Sequence, residues 1–152
     1  MNKGIRLRVI LLEDRKTVLT LMKEFFDDRG YEIFSFSNPA ICPLQLIPEC
    51  RCTENQTCTD VIVSDLNMPN MTGLRFIENQ RNKNCKCKYV AMISAHWAEE
   101  DLELAHRLGC RTFTKPLFFD DLDVWLDDVE YSIDPRRELH TWFQERGALP
   151  QH

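Results

Sequence analysis

Val61-Ile-Val-Ser-Asp65-Leu-Asn-Met-Pro-Asn-Met-Thr-Gly73 is a short apolar run that ends on a carboxylate and passes into a tight Asn/Pro/Gly turn. The pattern reads as a buried strand presenting an acid at its carboxyl end. Other stretches share the design: Val9-Ile-Leu-Leu12 ends on Glu13-Asp14, Tyr89-Val-Ala-Met-Ile93 on Ser94, and Arg111-Thr-Phe-Thr114 on Lys115-Pro116. An open parallel sheet places its ligand crevice outside the carboxyl ends of its strands. Carboxylates, a hydroxyl and an ammonium are therefore expected to converge in one crevice.

Working outward, helical periodicity fills the gaps between strands. Val18, Leu19, Met22, Phe25 and Phe26 predict a helix from about Arg15 to Arg29, stopped by Gly30. Tyr31 to Phe36 alternates as a strand, and Asn38-Pro39 opens a second helix that Pro43 and Pro48 keep short. Glu49 to Thr59 reads as a polar loop without a core-forming pattern, the one irregular insertion. Further helices are expected over Leu74 to Arg81, Glu99 to Leu108 with Gly109 as its cap, and Asp120 to Tyr131, with a basic loop over Asn82 to Lys88. Asp134-Pro135 is expected to begin a last helix carrying Leu139, Trp142 and Phe143 and ending at Gly147. Strict alternation of five strand-helix pairs implies an α/β fold with a five-stranded parallel sheet covered on both faces. The division expected is a compact domain over residues 1–131 and a C-terminal helical extension over 132–152.

Bulk properties narrow the function. The length of 152 residues and 43% hydrophobic content suit one domain with a proper core. A net charge of -5 argues against wide contact with nucleic acid, which needs clustered Lys and Arg. Lys3, Arg6 and Arg8 precede an apolar run too short for a signal peptide or a membrane span, so a cytoplasmic location is expected. Seven cysteines is an odd and high count, and in a reducing compartment such cysteines are more often free or metal-bound than paired.

Converging carboxylates repel one another unless a cation sits among them. Magnesium suits such a place, because it prefers oxygen ligands and often serves sites that also hold phosphate. Glu13 or Asp14, Asp65 and a main-chain carbonyl just past Asp65 would supply the ligands. Asp65 could then act as a nucleophile toward phosphorus, giving an acyl phosphate. Lys115 and the Ser94 hydroxyl would balance charge on the phosphoryl oxygens.

The acidic pair Glu13-Asp14, the run Ser64-Asp65-Leu66-Asn67-Met68-Pro69-Asn70-Met71-Thr72-Gly73, Ser94-Ala95 and Lys115-Pro116 occur in one order and spacing. Over Leu7 to Tyr131 the chain thereby resembles the receiver domains of two-component response regulators, most closely the single-domain chemotaxis type. The resemblance implies that Asp65 is the phosphoacceptor, that Glu13 and Asp14 hold Mg2+ with Asp65 and the Asn67 backbone carbonyl, that Ser94 is the switch hydroxyl and that Lys115 contacts the phosphoryl group. It also implies a doubly wound, flavodoxin-like sheet of order 2-1-3-4-5 and a cis Lys115-Pro116 bond. Two positions depart from the family pattern: Thr112 stands where an aromatic switch residue is common, and His96 occupies the position that influences phosphoryl lifetime.

Outside this cluster, Cys58, Cys85, Cys87 and Cys110 precede strands and should lie at their amino ends, with Cys50 and Cys52 of the insertion able to fold over the same edge. A site for Zn2+ or another soft metal is geometrically open there, beside a disulfide and, ranked first, unlinked thiols. The last helix of the domain carries Asp120, Asp121, Asp123, Asp127, Asp128 and Glu130, read as a solvated acidic face, with Arg136 and Arg137 or a basic partner as the alternative neutraliser.

The expected function is that of a stand-alone receiver taking a phosphoryl group from a sensor histidine kinase or phosphotransfer protein and signalling by docking to a downstream protein. No enzymatic activity is expected beyond its own phosphorylation and dephosphorylation, and a homodimer is left open. The rivals are a cysteine-based metal or redox sensing module built on the same scaffold, and a docking receiver with an idle site.

Overall fold

The structure, a computed structural model, describes residues 5–141. In chain order the elements are β1 (Arg8–Leu12), α1 (Lys16–Asp28), β2 (Glu32–Phe36), a 3-10 turn (Pro39–Ile41), α2 (Pro43–Leu46), β3 (Gln56–Thr57), β4 (Val61–Asp65), α3 (Gly73–Asn82), β5 (Tyr89–Ser94), α4 (Glu99–Arg107), β6 (Cys110–Thr114), α5 (Phe119–Ser132) and β7 (Glu138–Leu139). The main sheet is parallel in the order β2-β1-β4-β5-β6, which is 2-1-3-4-5 when its own strands are counted in sequence.

The reason for two covered faces is visible in the alternation of one strand. Every residue of β1 is buried. Val9 and Leu11 point into a cluster with Met22 and Phe26 of α1 and Leu122 and Leu126 of α5. Ile10 and Leu12 point the other way, among Leu44 of α2, Phe76 and Ile77 of α3, and Ala105 of α4. Each such fully buried aliphatic side chain contributes about 1.5–3 kcal/mol by leaving water.

Helix starts follow local chemistry. The Asn38 side chain accepts the Ala40 N–H at 2.9 Å, and Pro39 opens the 3-10 turn. Thr72 Oγ1 accepts the Arg75 N–H at 3.1 Å and so caps α3. Gly73, the first residue of α3, lies against the end of β4. A Cβ added there would collide with the Asp65 carbonyl oxygen and stand 2.6 Å from Ser64 Oγ.

The structure corrects the expectations at both ends of the sequence's irregular parts. Residues 134–141, expected as the first half of a C-terminal helix, form a turn and β7, while Trp142, Phe143 and Gly147 of that helix lie outside the described residues. β7 pairs in parallel with β3, matching Gln56 with Glu138 and Thr57 with Leu139. The segment is held down by charge, since Arg137 pairs with Asp60 and Arg8 NH1 donates to the carbonyls of Cys58 and His140 at 2.8 and 2.7 Å. The insertion, expected as a polar loop without a core-forming pattern, buries Cys52 and Cys58 in the core.

The acidic face of α5 has a partner that the sequence reading did not find. Arg29, at the carboxyl end of α1, reaches Asp123, Asp127 and Glu130, and not Arg136 or Arg137 but this residue neutralises the helix. Asp120, Asp121 and Asp128 are exposed as expected of a solvated face. Glu130 is buried and also accepts the Tyr31 hydroxyl at 2.8 Å. Burial and this carboxylate hold the Tyr31 pKa above its ordinary value.

Two mutations test these contacts. Glu130→Ala leaves the Tyr31 hydroxyl and the Arg29 guanidinium without their shared buried acceptor, and should lower the unfolding free energy by about 3–5 kcal/mol in urea denaturation. Asp127→Ala, at an exposed carboxylate on the same guanidinium, should barely move the midpoint. Gly73→Ala should cost about 1–3 kcal/mol, because the backbone of β4 has to shift to admit a methyl group.

Candidate phosphoacceptor site

Strand register builds the site. Leu12 pairs with Ser64, Asp65 with Ile93, and Ser94 with Thr114. The residues at or just beyond these positions therefore stand on one rim of the sheet. Backbone bonds extend the ladder past the strands: Glu13 N–H donates to Phe36 O at 3.2 Å, Leu66 N–H to Ile93 O at 2.8 Å, and Lys115 N–H to Ser94 O at 2.9 Å. The Lys115-Pro116 bond is cis, as expected.

On this rim Glu13, Asp14 and Asp65 each offer a carboxylate oxygen, all within 4.8 Å of one another. Glu13 and Asp65 are buried and Asp14 is half-buried. Two like charges 4 Å apart repel by about 4 kcal/mol at an effective dielectric of 20. Burial, the largest cause, pushes the Glu13 carboxyl above its ordinary pKa, and the charges of Asp65 and Asp14 add to the rise. The Arg15 N–H, donated to Glu13 Oε2 at 3.0 Å, and the Lys115 charge oppose it.

One cation of the chain enters the cluster. Lys115 Nζ lies 2.8 Å from Asp65 Oδ1. The pair lacks the alignment of a hydrogen bond, and Asp65 Oδ1 is the buried side-chain oxygen or nitrogen without a hydrogen-bond partner among the described residues. Three carboxylates against one ammonium leave two uncompensated negative charges. An oxygen-rich, under-neutralised pocket with an orphaned buried oxygen fits a hard divalent cation. Asn67, two residues past Asp65, is exposed in the loop that leads to α3. Asn70 turns that loop with φ 73°, in the left-handed region that Asn tolerates.

The remaining expected residues are placed less directly. Ser94 is fully buried at the end of β5, with its hydroxyl engaged by its own loop: Oγ donates to His96 O at 2.8 Å and accepts the His96 N–H at 3.2 Å. His96 itself is exposed. Thr112 sits within β6 opposite Met92. Trp97 donates its indole N–H to Phe113 O at 3.0 Å and ties the β5–α4 loop to β6.

The six cysteines expected at the amino ends of the strands do lie away from the acidic rim, but they do not form one group. Cys50, Cys52 and Cys58 converge, each offering a sulfur within 4.8 Å of the others. Cys87 Sγ is turned to the carbonyls of Asp60 and Tyr89, each at 3.7 Å, and Cys110 begins β6. No disulfide joins any of the seven. Burial pushes the Cys42 thiol up to about 12 and the Cys110 thiol up to about 11.

Comparison with known proteins agrees with this geometry. The model of the response regulator receiver domain family matches residues 9–126. The fold is similar to that of the Vibrio cholerae chemotaxis protein CheY4, at 23% identity and TM-score 0.65 over 82% of this chain and 99% of that one. It is similar also to the receiver domain of Francisella response regulator 1452, at 23% identity and TM-score 0.67 over 82% of this chain and 97% of that one. The HemR receiver domain of Leptospira biflexa aligns at 18% identity and TM-score 0.68 over 85% of this chain and 98% of that one. No curated relative matches the chain. The family match spans more than half of the sequence and includes every residue of the acidic rim, so the chain belongs to the response regulator receiver domains of two-component signalling.

Proposed function

We propose that Asp65 accepts a phosphoryl group from the phosphohistidine of a sensor histidine kinase or phosphotransfer protein, and that the phosphorylated chain signals by docking to a downstream protein. The observation that carries the reading is the orphaned, buried Asp65 Oδ1 beside Lys115 and two further carboxylates. A merely structural aspartate would be satisfied by its own loop.

In the transfer, an Asp65 carboxylate oxygen attacks phosphorus as the bond from phosphorus to the donor histidine nitrogen breaks. The electron pair of that bond stays on the imidazole, and Asp65 becomes an acyl phosphate. Lys115, already at Asp65, is placed to hold a phosphoryl oxygen. Glu13, Asp14, Asp65 and the Asn67 backbone carbonyl are the residues that would hold Mg2+, which when bound supplies positive charge for the phosphoryl oxygens. Water attacking the phosphorus reverses the modification, releasing inorganic phosphate and the Asp65 carboxylate. The chain needs no other activity, which is why we read it as a phosphoacceptor and not as an enzyme acting on external substrates.

The net charge of -5 supports a protein target over nucleic acid. No helix among the described residues is long and apolar enough to cross a membrane, which is consistent with a cytoplasmic phosphorelay. The complete acidic rim favours this reading over a docking receiver with an idle site and over a sensing module in which cysteines do the work.

Incubation with a small phosphodonor and Mg2+ should add one phosphoryl group by intact mass, and chelation or Asp65→Ala should abolish the addition. An unmodified wild-type mass, or equal labelling of Asp65→Ala, would remove the proposal. A second outcome follows from the crowded charge. Glu13→Gln keeps the oxygen that accepts the Arg15 N–H yet deletes one of three negative charges, so without divalent cation its Tm should rise by a few degrees while the further gain from Mg2+ shrinks. A lower Tm without metal would show that Glu13 stabilises the fold as a charge.

A further inference from the structure

The segment from Ile47 to Thr59 is an unusual thing to keep ordered. It contains one two-residue strand and few apolar residues, yet Cys52 and Cys58 are buried in the core beneath it. Its sulfurs are gathered: Cys52 and Cys58 Sγ are 3.2 Å apart, and Cys50 Sγ joins them within 4.8 Å. In a tetrahedral thiolate site with Zn–S bonds of about 2.3 Å, the sulfurs stand about 3.8 Å from one another. The cluster needs adjustments of less than a bond length to reach that arrangement.

A fourth cysteine, Cys85, stands beside this group, with its sulfur more than 4.8 Å from at least one of the three. A cavity of about 20 Å³ is lined by Cys50, Cys58 and Cys85, together with Lys83. The chain is pinned to bring them together, because Cys50 N–H donates to Lys83 O at 3.0 Å, two residues before Cys85. Both Cys-x-Cys pieces repeat one local geometry. Cys52 N–H points at Cys50 Sγ and Cys87 N–H at Cys85 Sγ, each at 3.5 Å. Amide donors aimed at sulfur are the outer contacts that orient a thiolate and stabilise its charge. The Lys83 ammonium, held by the carbonyls of Leu44 and Gln45 at 3.0 Å, adds positive charge to the cavity wall.

We infer that Cys50, Cys52, Cys58 and Cys85 form a closed, four-thiolate zinc site that fastens the insertion to the amino end of the sheet. The donor set is soft and holds no carboxylate or open position, which suits a structural ion and not a catalytic one. Binding releases the thiol protons to solvent and changes no oxidation state. The ion joins two chain segments: the insertion, which supplies Cys50, Cys52 and Cys58, and the loop before β5, which supplies Cys85. Cys87 and Cys110 stand outside the site.

The test uses the full chain, reduced and stripped of metal by chelation, then titrated with Co2+ and afterwards Zn2+. One Co2+ per chain is expected, with the intense visible bands of tetrahedral cobalt and near-ultraviolet thiolate charge transfer, both bleached by Zn2+. Asp14→Ala and Asp65→Ala should keep the spectrum, which separates this ion from any bound at the acidic rim, and Cys110→Ser should keep it too. Cys58→Ser and Cys85→Ser should weaken zinc binding by more than the roughly tenfold to hundredfold that outer contacts contribute. Absence of thiolate charge transfer in the folded wild-type chain overturns the inference, and that reading does not depend on any variant folding. Unchanged zinc affinity in Cys85→Ser also overturns it. So does protein prepared without reductant that carries no metal and a mass lighter by two hydrogens, the mark of a Cys52–Cys58 disulfide.

Discussion

Negative charge concentrated where the backbone forbids retreat is the constraint on which this molecule's behaviour depends. Glu13, Asp14 and Asp65 cannot spread apart, because each is fixed at the tip of a buried strand whose register is set by its neighbours. Lys115 answers part of the charge and leaves the rest to whatever enters the pocket. A site built this way is held at a cost to its own stability, and a bound cation relieves it. The apolar faces of the sheet supply the stability that makes such crowding tolerable.

The opposite end of the same strands is organised by different chemistry. There Arg8, buried at the start of β1, gathers Glu32, the Cys58 carbonyl and the His140 carbonyl, while Asp60 accepts the Arg8 N–H at 3.0 Å and pairs with Arg137. These contacts are buried or half-buried, so each leaves an expensive unsatisfied group if its partner is removed. The short β3·β7 pairing would not persist on its own two residues per strand. The ionic and carbonyl contacts around Arg8 and Asp60 add to the hold on both the insertion and the segment after α5. Crowded carboxylates at one rim and paired charges at the other therefore share a scaffold without sharing residues.

What was legible in the sequence was whatever depends on neighbours along the chain. Val61 to Asp65 announced a buried strand with an acid at its end, and periodicity announced α1, α3, α4 and α5 to within a residue or two. The convergence of Glu13, Asp14, Asp65 and Lys115 was legible because parallel strands all turn their carboxyl ends to one side. Contacts without a local signature were not. Nothing near Arg29 shows that its guanidinium faces three acids about a hundred residues later, as Glu130 shows at a separation of 101. The pairing of Gln56 with Glu138 has no alternation to betray it, since two residues carry no period. The division of the cysteines also escaped, because a Cys-x-Cys spacing does not say which sulfur turns outward and which, like Cys87, turns to the backbone.

Ser94 stands at the end of β5, on the same rim as Asp65, with its hydroxyl committed to its own loop. A hydroxyl has one proton, and here it is given to His96 O while the oxygen accepts the His96 N–H. To donate to anything held at Asp65, Ser94 must first release that carbonyl, and the loop that follows must adjust. That loop is not free to do so alone, because the Trp97 indole is bonded to Phe113 O. The end of β5 is thus joined to β6 through residues 94–97 and the Trp97 side chain by hydrogen bonds each worth about 0.5–1.5 kcal/mol.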